Sequence, residues 1–160
     1  MSYGMKLMVE TPLDEIKRVM DVNVWANKII LDWLHNSGIA IEQIVLISSG
    51  AGVVGTRGWS SYGLSKCTLN MMTKLYCREF ENSHMAAIAP GVTMTEMLER
   101  HLGRIDMEQY PHLQHFVDAH EAGTIQTSAE AASRLCNVLD LLKQEPTGQY
   151  FGPSLMKEHG

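Results

Sequence analysis

The sequence has few cysteines, no run of basic residues and no long apolar stretch. Its three cysteines, among 160 residues, lie far apart and form no CxxC pair, so we expect neither a disulfide framework nor a cysteine-based zinc site. The formal net charge is −5, and without clustered Lys or Arg a role in binding nucleic acid is excluded. No segment approaches the roughly 20 apolar residues of a membrane helix, and no signal-peptide pattern opens the chain. These absences predict a cytoplasmic protein that does not act in a membrane.

The composition that remains is that of one globular domain. Hydrophobic residues make up 45% of the chain and charged residues 19%, and a chain of this length buries a core without disulfides or structural metals. We treat residues 1–160 as a single domain with no internal repeat and no linker. Within it, residues 1–12 are predicted to be an irregular N-terminal segment and residues 92–126 an irregular, polar loop.

The hydrophobic pattern alternates between helical and strand periods along the chain. Apolar residues at helical spacing predict helices at about 13–36, 59–81 and 128–143. Short apolar runs bounded by turn residues predict strands, and these lie at residues 43–49, 85–89 and 148–152. Strands that alternate with helices in this order are typical of an α/β fold with a parallel sheet.

Residues 50–55 spell Gly-Ala-Gly-Val-Val-Gly, which matches the GxGxxG pattern of dinucleotide-binding turns. In such a turn the helix opens inside the motif, and an acidic residue ends a second strand about 20 residues later. Here residues 56–58 continue as loop, and the region about 20 residues on is the middle of a predicted helix. We therefore interpret residues 50–55 as a glycine-rich loop and not as a pyrophosphate site.

Tyr62 and Lys66 form a second motif, with a phenol and an ammonium four residues apart on one face of a predicted helix. A nearby cation favours the phenolate and lowers the pKa of a tyrosine, which makes such a pair a plausible general acid/base. Ser49 ends one predicted strand and Pro90 and Gly91 end the next. The carboxyl ends of neighbouring parallel strands are where open α/β sheets bind ligands.

Asn23 lies in the middle of the first predicted helix. Asparagine has low helix propensity, so its presence there suggests a hydrogen-bonding role.

Four segments, taken together in their order and spacing, resemble the short-chain dehydrogenase/reductase family. They are Asp-Val-Asn-Val at 21–24, Ile-Ser-Ser at 47–49, Tyr-x-x-x-Lys at 62–66 and Pro-Gly-Val-Thr-Met-Thr at 90–95. The resemblance covers residues 13–152, and residues 58–62 and 127–151 are most similar to sepiapterin reductases and bacterial benzil reductases. It implies the C-terminal part of a Rossmann-like, doubly wound parallel sheet, incomplete, with three strands and flanking helices.

The resemblance implies an NAD(P)-dependent carbonyl reductase or alcohol dehydrogenase with four catalytic residues. Tyr62 would be the general acid/base that gives a proton to the carbonyl as hydride arrives from a nicotinamide, and Ser49 would hydrogen-bond the developing oxyanion. Lys66 would lower the pKa of Tyr62 and bind the nicotinamide ribose. Asn23 would hold a water behind Lys66 in a proton relay.

The resemblance also implies which residues contact the cofactor and the substrate. The cofactor would be NADP(H) or NAD(H), with NADP(H) slightly favoured, and its predicted contacts are Tyr62, Lys66, Pro90, Gly91, Val92 and Thr95. Trp59 and residues 94–125 would shape a pocket for a small, apolar or aromatic carbonyl compound, although simple packing explains Trp59 equally well. We also considered metal binding by the loop histidines, and no metal site is predicted; the set considered is His112, His115 and His120 with Glu121.

The family's usual Thr-Gly-x-x-x-Gly-x-Gly and Asn-Asn-Ala-Gly stretches do not occur in this sequence. Three explanations stay open: a fragment of a longer product, pairing with a complementary piece, or a homo-oligomer formed through the helices at 13–36 and 60–81. An alternative function follows from the same gap. The chain would then be catalytically inactive and act only in self-association or in binding a partner.

Overall fold

Three parallel strands with helices against both faces form the centre of the fold. The computed structural model describes residues 4–155. The main elements run in the order α1 (Leu13–Met20), α2 (Ala26–Ser37), β1 (Gln43–Ile47), α3 (Ser60–Tyr76), β2 (His84–Ile88), β3 (Thr93–Met94), α4 (Glu96–Leu102), α5 (Gln114–Glu121), β4 (Gln126–Thr127), α6 (Ser128–Leu142) and β5 (Gln149–Phe151). The main sheet has the strand order β1-β2-β5, and a small second sheet pairs β3 with β4 in parallel. The predicted α/β architecture with a three-stranded parallel sheet is confirmed.

The alternation of side chains along the strands divides the core into two layers. Ile44, Leu46 and Met85 pack with apolar side chains of α2 and α3 on one face of the sheet. Ala86 and Ile88, which point the other way, pack with α6. Both faces of β2 are therefore buried, which explains why its sequence is a continuous apolar run.

The first predicted helix extends over Leu13–Ser37 but contains a π-helical turn. Between α1 and α2, residues Asp21–Trp25 have the wider π geometry, which occurs in short stretches and often at functional sites. Gly38 ends the helix in the left-handed conformation, with φ of 70°. This π turn was not predicted from the sequence.

Residues 92–126 are not an irregular loop, and that prediction is wrong. They contain β3, α4, α5 and the first residue of β4, and residues of this region line the cavity at the carboxyl end of the main sheet. The hydroxyl of Thr95 accepts a hydrogen bond from the backbone N–H of Leu98 and caps α4. The helices α4 and α5 have only seven and eight residues, which is too short to produce a clear apolar period.

The N-terminal segment is also more ordered than predicted. Residues Met8–Glu10 form a 3₁₀ turn, and Lys6 makes an isolated parallel bridge with Trp59, just before α3. Residues 1–3 of the predicted irregular segment lie outside the described residues. Within residues 4–155, no helix combines the length and apolarity that crossing a bilayer requires.

Candidate active site

A cavity of about 490 Å³ opens at the carboxyl ends of β1 and β2. This is the edge at which parallel sheets bind ligands. Its walls come from the ends of both strands, from the first turns of α3 and from the 92–126 region. The predicted site residues that line it are Ser49, Tyr62, Lys66, Pro90, Gly91, Val92 and Thr95.

Ser49 and Tyr62 form the polar centre of the cavity. Ser49 is extended, and its hydroxyl oxygen accepts the backbone N–H of Ala51 at 3.2 Å. Burial raises the pKa of the Tyr62 phenol above its ordinary value, while the Ser49 hydroxyl, bonded to the phenol oxygen, acts in the opposite direction. The result is a phenol that keeps its proton at neutral pH beside a second hydroxyl.

Lys66 lies one turn beyond Tyr62, with its ammonium 5.7 Å from the centre of the phenol ring. The ammonium donates a hydrogen bond of 2.8 Å to the carbonyl oxygen of Ile47, at the end of β1. Burial lowers the pKa of Lys66. Burial is the larger influence on the Tyr62 phenol and acts against the lowering of its pKa that we expected from Lys66, so that expectation stays a prediction.

Asn23 is buried in the π-helical turn and does not line the cavity. Its side-chain amide donates to the hydroxyl of Ser65 at 3.0 Å, and Ser65 in turn donates to the backbone carbonyl of Tyr62 at 2.7 Å. The backbone carbonyl of Asn23 accepts the side-chain amide of Asn27. Asn23 therefore connects the π-helical turn to the first turns of α3, and its role in holding a water behind Lys66 stays a prediction.

The glycine-rich loop packs on α3. Residues Gly50–Gly52 form a 3₁₀ turn, and a Cβ at Gly52 would lie 2.7 Å from the backbone carbon of Lys66. Gly63 faces the same loop, since its Cβ would lie 3.1 Å from the carbonyl oxygen of Ala51. These glycines allow the loop and the helix to approach closely, which places Ser49 beside Tyr62 and Lys66.

The Pro90–Gly91 turn is held by a residue that the sequence did not single out. The side-chain amide of Gln126 donates to the Pro90 carbonyl at 2.7 Å and to the Thr93 hydroxyl at 3.1 Å. The guanidinium of Arg134 donates a hydrogen bond of 3.0 Å to the side-chain oxygen of Gln126. Gly91 has φ of 89°, a conformation that favours glycine. No short motif marks Gln126, because it lies 35 residues from Gly91 and meets it only through the pairing of β3 with β4.

Apolar and aromatic side chains form the remaining walls. Trp59 lies with its ring 5.5 Å from that of Tyr62, and Phe116 on α5 stacks on His115 with centroids 4.1 Å apart. Other apolar side chains that line the cavity are Val54, Met97 and Leu98. This wall favours flat, apolar ligands over strongly hydrated ones.

The loop histidines hydrogen-bond to backbone carbonyls. A ring nitrogen of His112 bonds the carbonyl of Arg57, and one of His115 bonds the carbonyl of His112. Across the part of the chain that the structure describes, no group of three or more His, Cys, Asp or Glu side chains could hold a metal ion.

The phenol of Tyr62 is expected to ionise at higher pH than free tyrosine, because burial disfavours the phenolate. Ser49→Ala removes the hydroxyl that opposes this effect, so the pH at the midpoint of the Tyr62 titration should rise further. NMR titration of carbon-labelled tyrosine rings measures both, with Tyr62→Phe identifying the signal. A midpoint below that of free tyrosine would mean that the Lys66 ammonium dominates after all.

Comparisons with known proteins identify the family of this chain. The short chain dehydrogenase family model matches residues 3–104. Benzil reductase ((S)-benzoin forming) of Bacillus subtilis (strain 168) is 29% identical over 139 residues, which are 82% of this chain and 56% of that protein. The chain thus spans about half the length of the curated relatives that it matches.

Solved structures share the fold. A short-chain dehydrogenase/reductase of Saccharomyces cerevisiae superposes with a TM-score of 0.77 at 22% identity, covering 98% of this chain and 64% of that one. A short-chain dehydrogenase of Shigella flexneri, solved in complex with NADP, superposes with a TM-score of 0.70 at 20% identity. The match covers 96% of this chain and 59% of that one. With a family match over more than half of its residues, and with the sheet and flanking helices of these structures, the chain belongs to the short-chain dehydrogenase family.

Proposed function

We propose that the protein is an NAD(P)-dependent carbonyl reductase in which Tyr62 is the general acid/base. The observation that carries the proposal is the meeting of Ser49, Tyr62 and Lys66 around one cavity at the carboxyl end of the sheet. A phenol, a hydroxyl and an ammonium around one apolar cavity can protonate and stabilise a carbonyl oxygen. Family membership supports an oxidoreductase, and carbonyl reduction is the finer step proposed here.

Tyr62 and Ser49 have different roles at the carbonyl oxygen of the substrate. Because its pKa is raised by burial, the Tyr62 phenol is protonated at neutral pH and can donate its proton to the oxygen. The Ser49 hydroxyl is hydrogen-bonded to the phenol oxygen, and it can turn its proton to the substrate oxygen as negative charge develops there. Lys66 places a positive charge close behind the phenol and stabilises the phenolate after the transfer.

The residues around the cavity fit the nicotinamide half of a dinucleotide. Lys66 offers N–H donors for ribose hydroxyls, and the backbone between Pro90 and Val92 faces the cavity with a positive φ at Gly91. The Thr95 hydroxyl accepts the N–H of Leu98 and so has its proton left for a carboxamide oxygen. When bound, the cofactor supplies the hydride. The NADP complex of the Shigella flexneri structure supports a nicotinamide cofactor, NADP(H) or NAD(H), and the family resemblance favours NADP(H).

The proposed substrate is a small apolar or aromatic carbonyl compound. Trp59 and Phe116 provide flat surfaces on the cavity wall, and aromatic rings stack on such surfaces. The Bacillus subtilis relative is described as a benzil reductase that forms (S)-benzoin, which makes an aromatic 1,2-diketone the first compound to test.

The test is turnover by the protein expressed from its complete natural gene, with NADPH or NADH and an aromatic 1,2-diketone. We expect one carbonyl to be reduced to a hydroxyl, with consumption of one reduced nicotinamide per carbonyl. Aliphatic, strongly hydrated ketones should have higher KM because they lose the ring contacts. Absence of reduction with both cofactors and with a panel of aromatic carbonyl compounds would refute the proposal.

We also propose that the protein forms a homo-oligomer through the long helix at residues 13–36 and the helix at residues 60–81. Trp25, Ile29 and Trp33 recur every four residues on one exposed stripe at 45%, 68% and 61% exposure. Met71 and Leu75 are also exposed on α3, whose last residue, Tyr76, donates a hydrogen bond to Asp32 of α2. A second copy with the same surface, related by a two-fold axis, would bury both faces.

The variant Trp33→Asp is expected to weaken self-association by about thirtyfold, as for the loss of a central aromatic contact worth about 2 kcal/mol. Analytical ultracentrifugation over a concentration series measures the shift. Val9→Asp, at a site that is 92% exposed on the N-terminal turn, is the matched control and should leave the association unchanged. A monomeric unsubstituted protein, or equal effects of both variants, would refute the interface.

The same exposed stripe favours one second candidate function. A family member without turnover would use these faces only for self-association or to bind a partner. The two candidates differ in a single property, which is whether Tyr62 is needed for a chemical reaction.

A further inference from the structure

Lys6 is attached at three points to the elements that surround it. Its backbone N–H donates to the carbonyl of Gly58 at 3.1 Å, and its carbonyl accepts the Ser60 hydroxyl at 2.6 Å. Its ammonium donates to the carboxylate of Glu15 at 2.5 Å. The backbone contacts lie on either side of Trp59, so the segment around Lys6 fixes the residues that lead into α3.

Glu15 is an unusual partner because it is almost completely buried. It lies in the first turn of α1 and is only 5% exposed, whereas neighbouring Asp14 has a side chain that is 83% exposed in its pair with Lys17. The Lys6 side chain is itself 41% exposed, but removing its ammonium would leave the buried Glu15 carboxylate without this cation, which is unfavourable. The position of Lys6 therefore depends on its ion pair with Glu15 of α1 as well as on its backbone contacts.

The residues that Lys6 fixes form a wall of the candidate active site. Trp59 lines the cavity, and its ring lies 5.5 Å from that of Tyr62. The carbonyl of Trp59 accepts the N–H of Gly63 at 2.7 Å, which closes the first turn of α3. Gly58 has little free space around it, because a Cβ there would lie 3.0 Å from the ring of Tyr110 and 3.5 Å from the Cβ of Met5. A shift of the segment around Lys6 would move Trp59 and the start of α3 together.

We propose that Lys6 and Glu15 are positioning residues that hold Trp59 and the first turn of α3 in place at the cavity. The inference rests on the proposed function for its effect on turnover and on the contacts above for its effect on local structure. Neither residue lines the cavity, so both act through Trp59 and Tyr62. A misplacement of about 1 Å at a reacting group can reduce the rate as much as a hundredfold.

The test compares three substitutions at the ion pair with one next to it. Lys6→Met removes the ammonium and keeps the backbone contacts. Glu15→Gln removes the charge but leaves an amide oxygen that can accept from Lys6, so it is the variant more certain to fold. Lys6→Arg is the conservative variant expected to rescue. Asp14→Asn removes an exposed carboxylate one residue away in the same helix and is the matched control.

Amide hydrogen exchange and kinetics are measured on each folded variant. We expect the amides of residue 6 and of Gly63 to exchange about tenfold faster or more in Lys6→Met, with a smaller effect in the same direction in Glu15→Gln. The value of kcat/KM should fall between about tenfold and a hundredfold in Lys6→Met. Lys6→Arg should restore it, and Asp14→Asn should stay within about twofold.

Unchanged exchange at residue 6 and Gly63 in both disruptive variants would overturn the proposal. Faster exchange with unchanged kcat/KM would overturn it too, because the ion pair would then stabilise the fold without positioning the site. If the unsubstituted protein reduces no carbonyl, the proposed function fails. The exchange rates then still decide whether Lys6 and Glu15 hold the start of α3.

Discussion

Replacing Tyr62 by phenylalanine is expected to lower the rate of carbonyl reduction by a factor of about 10²–10⁴, the contribution of a positioned general acid. The substitution removes one oxygen and leaves the ring beside Trp59, so the cavity keeps its shape. Substrate binding should change much less than kcat, because the proton is needed only as the carbonyl oxygen gains charge. Steady-state kinetics with an aromatic diketone measures both parameters.

Tyr150→Phe is the matched control for this loss. Tyr150 lies on β5, pairs in register with Ala87 and does not line the cavity. We expect its kcat and KM to equal those of the unsubstituted protein. A Tyr62→Phe variant that keeps full kcat would mean that another group donates the proton. If neither the unsubstituted protein nor the variant has turnover, the non-catalytic candidate is favoured.

Gly52→Ala is expected to lower the free energy of unfolding by about 1–3 kcal/mol, the range for overpacking a closely packed site. The added methyl would lie 2.7 Å from the backbone carbon of Lys66 and 2.9 Å from the backbone nitrogen of Cys67. Backbone atoms in a helix cannot move aside as the end of a flexible side chain can. The loop should therefore lift from α3 and carry Ser49 away from Tyr62. Urea unfolding, together with the NMR signal of Tyr62, measures both effects.

The other two glycines of the same motif provide the controls. A Cβ at Gly50 or at Gly55 meets no atom within 4 Å, and neither residue has a positive φ. Alanine at either position should leave the stability unchanged or raise it by up to about 1 kcal/mol, since it restricts the unfolded chain. Equal destabilisation by all three substitutions would contradict the packing role assigned to Gly52.

The sequence predicted the sheet and the long helices well because both carry strong hydrophobic patterns, a continuous run in the strands and a helical period in the helices. The apolar run of β2 and the apolar stripe from Leu13 to Ser37 each reflect burial on defined faces. The glycine-rich loop at residues 50–55 shows that a sequence pattern alone does not define the role of each glycine. Its sequence matches the pattern of a dinucleotide-binding turn, and the structure shows that Gly52 packs closely against α3.

The features that the sequence did not predict depend on contacts between distant residues. Short helices such as α4 and α5 have no full apolar period, and the cap of α4 is identified only by the hydrogen bond between Thr95 and Leu98. Gln126 and Glu15 belong to no motif, and each gains its role from partners that the fold brings near. The Lys66 ammonium donates to the carbonyl of Ile47, and spacing alone does not define the direction in which it points.

Tracing the transferred hydrogen tests the central claim most directly. The protein expressed from its complete natural gene is supplied with an aromatic diketone and a reduced nicotinamide that carries deuterium at its transferable position. Mass spectrometry should find a single deuterium on the new carbinol carbon, and the Tyr62→Phe variant should give little product in the same time. Unreduced diketone, or a carbinol without deuterium, would contradict hydride transfer at the cavity of Ser49, Tyr62 and Lys66.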